Sequence, residues 1–119
     1  MLNEAEIRES LAGHAARNAG LLKSIRGRGV DVAQAHSVEH HFWADTQESA
    51  ALLAKELYGR GYLILVIAPV DDEDGSKMWN VEAGIRRTLE DSASARVTED
   101  LVRLAARFDA TYDGWGASI

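Results

Sequence analysis

Three histidines lie close together in this sequence, at His36, His40 and His41. In an extended strand His36 and His40 share a face but stand about 13 Å apart, because each residue advances the chain by roughly 3.3 Å. Zinc holds its ligands at roughly 2.0–2.1 Å and cannot bridge that gap. His40 and His41 point to opposite faces. The spacing is typical of half-buried strand histidines and predicts no metal site.

An acid–base group is the second candidate for chemistry, because Glu39, His41 and Glu82 can converge on one face of a sheet. A carboxylate beside an imidazole is a pairing that general acid–base catalysis uses. The same residue types also form the ordinary polar surface of a less covered sheet face. The sequence has no nucleophile motif and no glycine-rich phosphate loop to accompany them. We therefore predict a protein that is not an enzyme, without catalytic or cofactor-binding residues.

An acidic run lies in the middle of the chain and consists of Asp71, Asp72, Glu73 and Asp74. Carboxylate oxygens suit Ca²⁺, but the run lacks the spacing and the distal glutamate of an EF-hand loop. Together with Pro69 and Gly75 it is typical of a solvated hairpin loop. Such a loop attracts a basic partner, so the sequence predicts these four residues as partner-binding residues.

The three tryptophans, Trp43, Trp79 and Trp115, have two interpretations. In a domain of this size most rings are buried in the core. Alternatively, an exposed ring can anchor a protein interface, because aromatic side chains supply much of the binding energy there. Trp43 is the candidate for that role, since it falls opposite Val38 and Phe42 in the alternation of its strand. Packing beneath the N-terminal helix is the other interpretation for Trp43.

The composition is that of one ordinary globular domain, with 119 residues, 46% of them apolar and 27% charged. The net charge of −6 argues against a general binder of nucleic acids or membranes, since phosphate contacts need clustered Lys and Arg. The charge is uneven: residues 1–30 carry +2 and residues 31–119 carry −8. The absence of cysteine excludes disulfides. Without a signal-peptide pattern or a membrane-length apolar run, we expect a cytoplasmic protein.

The first segment of the chain is predicted to be a helix. Asn3 and Glu6 form a capping box, and apolar residues then recur every three to four positions for about 22 residues. Gly27 and Gly29 stop the pattern, and residues 27–34 are predicted to be a linker. We therefore divide the chain into an N-terminal helix and linker, residues 1–34, and an α+β domain, residues 35–119.

Strands and helices alternate in the second segment. Asp45 and Thr98 are the predicted N-caps of its two helices. Residues 62–68 are apolar on both faces of a strand, so both faces should be covered, by the N-terminal helix or by a homodimer contact. The order strand, helix, strand, strand, helix, strand predicts the ferredoxin-like α+β fold. In that fold an antiparallel sheet carries two helices on one face, and here the N-terminal helix is additional.

The C-terminus carries a compact motif, Tyr112-Asp113-Gly114-Trp115-Gly116. Glycine loses the most conformational freedom on ordering, so two glycines around a tryptophan are more typical of a packed strand than of a tail. We expect Tyr112 and Trp115 to anchor a closing strand. A glycine would permit a bulge or a close backbone approach beside the indole.

This motif, together with residues 38–43 and 59–62, resembles the RraB family of ribonuclease E inhibitors over roughly residues 35–119. The resemblance implies a small acidic cytoplasmic protein with a ferredoxin-like fold. It implies binding to the endoribonuclease ribonuclease E, restraint of its activity and a change in which transcripts decay. It further implies a protein partner, no cofactor and no catalysis, and the acidic charge adds the expectation of no direct contact with nucleic acid or membrane.

Two other functions stay open at this level. Small acidic α+β domains also serve as immunity proteins, which shield a basic nuclease by the same electrostatic attraction. The third function is a small-molecule or metal-binding domain that uses the sheet face around Glu39, His41 and Glu82. The identity of the bound nuclease separates the first two functions, and a ligand-induced shift in Tm supports the third.

Overall fold

The computed structural model describes residues 2–119, which form four strands and four helices. In chain order these are α1 (Glu4–Gly27), β1 (Ala35–Ala44), α2 (Gln47–Gly59), β2 (Leu63–Asp71), β3 (Lys77–Thr88), α3 (Leu89–Ser92), α4 (Ala95–Arg107) and β4 (Ala110–Ala117). The strands form one antiparallel sheet in the order β2-β3-β1-β4. Helices α2 and α4 pack on one face of this sheet. The predicted ferredoxin-like α+β fold with an additional N-terminal helix is confirmed.

The first two helices begin at side chains that accept from their free backbone N–H groups. The predicted capping box opens α1, where Asn3 Oδ1 accepts from the Glu6 N–H at 2.8 Å and the Glu6 carboxylate accepts from the Asn3 N–H at 3.3 Å. The cap of α2 lies one residue later than predicted. Thr46 Oγ1, and not Asp45, accepts from the Ser49 N–H at 3.0 Å.

The start of α4 differs more from the sequence-based expectation. Its N-cap is Ser94, whose Oγ accepts from the Val97 N–H at 3.2 Å. The short helix α3 lies directly before it, in a stretch whose polar sequence is more typical of an irregular connection. Thr98, the predicted cap, is buried inside α4, where its Oγ1 accepts from Asn18 Nδ2 at 3.1 Å. A residue type that suits a cap is used here for a tertiary hydrogen bond, a choice that sequence spacing does not reveal.

The main core lies between the sheet and the two helices on its inner face. The predicted buried stripe of α2, with Leu53 and Leu57 at its centre, is confirmed. These helices meet alternate side chains of the two central strands, β1 and β3, as the period of two requires. Burial of this apolar surface is the main source of the stability of the fold. The largest side chains at the centre are Phe42, Val81, Leu53, Leu57, Leu101 and Leu104.

Helix α1 packs across α4 and the closing strand β4. His14 Nε2 donates to the Tyr112 carbonyl at 3.1 Å, and Trp115 Nε1 donates to Asn18 Oδ1 at 3.0 Å. The expectation that α1 covers the outer face of β2 is therefore wrong. The helix lies over the opposite edge of the sheet because its buried polar residues find partners there.

The closing strand contains the bulge expected beside the indole. His41 pairs with Gly114 and Phe42 pairs with Tyr112, so β4 has one extra residue, Asp113, at this point. Gly114 has φ of +122°, which only glycine adopts readily. The extra residue brings Tyr112 and Trp115, three positions apart, to the same buried face. Both side chains anchor the end of the chain, as predicted.

Candidate protein-interaction site

The sheet has one open face, on the side away from α2 and α4. Side chains of β1 alternate between the buried face and this face. Strand β1 contributes Glu39, His41 and Trp43 to it. Strand β3 contributes Asn80, which pairs with Trp43, and Glu82, which pairs with His41. The structure therefore brings together the three residues of the predicted acid–base group, and it places Trp43 beside them.

His41 lies between two carboxylates on the open face. Its Nδ1 is 3.3 Å from Glu82 Oε1, and its Nε2 is 3.9 Å from Glu39 Oε2. We call Glu39, His41 and Glu82 the row. All three side chains are partly exposed to water. The row therefore lacks the enclosed, water-poor environment in which fixed charges act most strongly on a reacting group. Two carboxylates on an open surface suit a cationic side chain of another protein.

The three histidines at positions 36, 40 and 41 have different surroundings. His36 lies near the start of β1, where it pairs with Arg87 of β3, and its Nε2 donates to the Asp31 carbonyl at 3.1 Å. His40 is completely buried, rather than half-buried as predicted, and faces away from His41. Across residues 2–119, no group of three or more His, Asp or Glu side chains has a metal-binding arrangement.

The acidic run forms the hairpin between β2 and β3. The Asp72 N–H donates to the Ser76 carbonyl at 2.7 Å, which closes a tight turn. The hydroxyl and the N–H of Ser76 donate to the Asp74 carboxylate and lower the pKa of that group. Asp71 Oδ1 lies 3.9 Å from Lys77 Nζ. Because this is one lysine beside four carboxylates, most of the hairpin's negative charge is uncompensated. The loop is exposed throughout, as predicted for a solvated hairpin.

Trp43 and the base of this hairpin border one cleft of about 220 Å³. Its lining residues are Trp43, Val70, Asp71, Asp72 and Met78. The ring of Trp43 is half-buried on the open face, so the interpretation that it packs beneath α1 is wrong. Of the five predicted partner-binding residues, the structure brings Trp43, Asp71 and Asp72 together at the cleft. Glu73 and Asp74 lie at the exposed tip of the hairpin.

An exposed apolar strip on β2 is the feature that sequence reasoning missed. We name Leu63, Leu65, Val66 and Val70 the β2 strip. A register shift between Ile64 and Val66 turns both Leu65 and Val66 to the open face. Leu65 lies over Gly84, where an added Cβ would come within 3.1 Å of Leu65 Cδ1. The unbroken apolar run is the signal for this strip, although apolar residues on both faces do not distinguish a covered strand from an exposed one.

Two buried histidines belong to the structural core rather than to this face. The Tyr112 hydroxyl and His40 Nδ1 share a hydrogen bond of 2.7 Å, and His14 Nε2 donates to the Tyr112 carbonyl. Burial lowers the pKa of His40 to about 3, with smaller contributions from Arg87 and His41. Burial also lowers the pKa of His14, as does the nearby Arg17 guanidinium, and it raises the pKa of the Tyr112 hydroxyl. Both imidazoles are therefore neutral in the folded protein at pH 7.

The fold and its surface define a small ferredoxin-like α+β protein with an open sheet face, an acidic hairpin and a helix packed across one end. None of the helices described here combines the length and the apolar character needed to cross a membrane. The chain belongs to the RraB family: the family model described as "Regulator of ribonuclease activity B" matches residues 15–117.

Relatives with that description come from several organisms. The chain is 31% identical to the "Regulator of ribonuclease activity B" of Pseudoalteromonas translucida (strain TAC 125), over 81% of this chain and 86% of the relative. It is 24% identical to that of Shewanella denitrificans, over 98% of this chain and 87% of the relative. It is 28% identical to that of Escherichia coli (strain K12), over 81% of this chain and 70% of the relative.

Proposed function

We propose that this protein binds a ribonuclease of the ribonuclease E class and restrains its activity by protein–protein contact, which modulates RNA decay. The observation that carries the proposal is the shared cleft of Trp43 and the acidic hairpin, on an otherwise open sheet face. Membership of a family described by the regulation of ribonuclease activity supports the choice of partner.

The proposed binding to the ribonuclease depends on charge attraction and on one aromatic contact. A ribonuclease must present Lys and Arg to hold the phosphates of RNA. The hairpin presents Asp71, Asp72, Glu73 and Asp74 in a loop whose shape is held by backbone hydrogen bonds. It therefore competes with RNA phosphates for the same cations, and it also speeds the encounter between the two proteins. Trp43 adds a rigid apolar contact at the base of the hairpin.

In this proposal the protein acts in the cytoplasm and catalyses nothing itself. The row formed by Glu39, His41 and Glu82 is open to water and lies beside the cleft. It contributes negative potential to the docking face. The proposal thus assigns the carboxylates in and beside the cleft to recognition.

The test is calorimetric titration of the full chain into purified ribonuclease E from the same host, at low and at moderate salt. The test variant combines Asp72→Asn with Glu73→Gln. The matched control combines Glu9→Gln with Glu48→Gln, which removes the same charge from two other exposed sites. We expect the hairpin variant to bind roughly five- to tenfold more weakly at low salt, with a smaller salt dependence. We expect the control to bind like the unchanged protein.

Two results would contradict the proposal. One is the absence of any complex at low salt. The other is an equal loss in the hairpin variant and the control, because net charge alone would then explain the binding. A further variant, Trp43→Ala, should weaken binding at both salt concentrations, since the contribution of an apolar ring is not screened by ions.

A further inference from the structure

The β2 strip is an unusual surface for a strand at the edge of a sheet. Leu63 is 63% exposed, Leu65 45% and Val70 43%, and all three lie on the open face. Single exposed apolar side chains are common on soluble proteins, whereas a contiguous row marks an interaction surface. Within residues 2–119 no helix covers this row.

The edge of β2 is protected against the addition of another strand. Pro69 has no backbone N–H, and the register shift between Ile64 and Val66 interrupts the regular spacing of the strand. Prolines and bulges are the devices by which edge strands avoid pairing with another chain. A partner of the β2 strip therefore contacts its side chains on the open face, and not its free backbone groups.

The surrounding charges select the kind of partner. Glu82 pairs with Val66 across the β2–β3 ladder, and Glu39 pairs with Gly84 on the far side of β3. The acidic hairpin continues directly from the end of the strip. A second copy of this chain packed face to face would bring such carboxylates close to their equivalents, which is unfavourable. A positively charged surface meets no such penalty.

We infer that the β2 strip is the apolar half of the partner-docking face, covered by a positively charged protein surface that carries apolar side chains among its Lys and Arg. This inference rests on the proposed function and adds the second surface to it. The binding affinity then has two contributions. Salt weakens the electrostatic contribution of the hairpin, because ions screen charges. Salt does not screen the apolar contribution of the β2 strip.

The test again uses the full chain and ribonuclease E, with Leu63→Ser combined with Leu65→Ser. The matched control combines Leu52→Ser with Tyr58→Ser on α2, where the exposed fractions are 47% and 69%. We expect the strip variant to bind about tenfold more weakly at both low and moderate salt, and the control to bind normally. Thermal unfolding of each variant checks that the fold is kept.

Failure of this inference differs visibly from failure of the proposed function. If the unchanged protein binds ribonuclease E and the strip variant binds equally well, the inference is overturned and the proposed function stands. If the unchanged protein binds no ribonuclease E, the proposed function fails. The strip is then tested by amide NMR with short peptides of alternating Leu–Lys, Ser–Lys and Leu–Glu.

Only the Leu–Lys peptide should shift the β2 signals. An equal response to Ser–Lys overturns the inference, because charge alone would account for it. A lack of response to all three peptides overturns it as well. The remaining alternative is that a second copy of this chain covers the strip, and sedimentation of the unchanged protein tests it. A dimer that Leu63→Ser dissociates would assign the strip to a second copy of the chain and would also overturn the inference.

Discussion

Trp115 donates its indole N–H to Asn18 Oδ1 at 3.0 Å, and this bond joins the last strand to the first helix across 97 positions of sequence. The same Asn18 side chain donates to Thr98 Oγ1 and, more weakly, to the Ala93 carbonyl. One buried amide thus ties α1, α4 and β4 together. Because α1 buries few large apolar side chains, polar bonds of this kind decide where it packs.

Replacing Asn18 with Leu should destabilise the protein by about 3 kcal/mol, because the buried Trp115 N–H loses its acceptor and cannot reach water. Urea unfolding followed by tryptophan fluorescence measures the change. The control is Gln34→Ala at an exposed position, which should change stability by less than about 0.5 kcal/mol. A loss of similar size in both variants would show that the amide is not a structural anchor.

The buried His40 predicts a loss of stability on acidification. Its pKa is about 3 in the folded protein, and an unfolded histidine has a pKa of about 6.5. The unfolded chain therefore takes up a proton first as the pH falls. The contribution of His40 is fully present above about pH 6.5 and is lost progressively between pH 6.5 and pH 3. His14, whose pKa is also lowered, acts in the same direction.

The measurement is the free energy of unfolding in urea at pH 7 and at pH 5. We expect His40→Leu to reduce the pH dependence by about 1–2 kcal/mol over this interval. The control Gln34→Ala changes an exposed, non-titrating side chain and should leave the slope unchanged. If both variants keep the slope of the unchanged protein, another group is responsible.

Gly114 and Gly116 provide a matched pair of tests for the bulge in β4. A Cβ at either position meets no atom within 4 Å, but only Gly114 has a positive φ, at +122°. Gly114→Ala should therefore cost about 1–3 kcal/mol through backbone strain alone, whereas Gly116→Ala should be nearly neutral. Thermal unfolding of both variants tests this difference, and equal Tm values would contradict it.

The start of α2 allows a direct test of cap assignment. Thr46→Ala removes the side chain that accepts from the Ser49 N–H and should cost about 1 kcal/mol. Asp45→Ala changes a neighbouring side chain that makes no cap and should cost only a few tenths of a kcal/mol. Chemical unfolding of the two variants decides between them. A larger loss of stability in Asp45→Ala than in Thr46→Ala would instead identify Asp45 as the cap, as predicted from sequence.

Several parts of the fold follow from local pattern. The capping box of Asn3 and Glu6, the buried stripe of α2 and the alternation along β1 all depend on residues close together in sequence. The cap of α4 is a feature that local sequence pattern does not predict. Ser94 and Thr98 are both good capping residues, and the hydrogen bond from Asn18 to Thr98 crosses 80 positions. The two residues cannot be told apart until the distant partner is in place.

The sequence by itself determined the order of the elements, the α+β class, the buried closing strand and the resemblance to the RraB family. Only the tertiary structure decided that α1 lies over β4, that the β2 strip stays open, and that Trp43 meets Asp71 and Asp72 at one cleft. The physical reason is that hydrophobic periodicity shows which side of an element is apolar. It carries no information about which distant surface covers that side, because such contacts depend on how the whole chain packs.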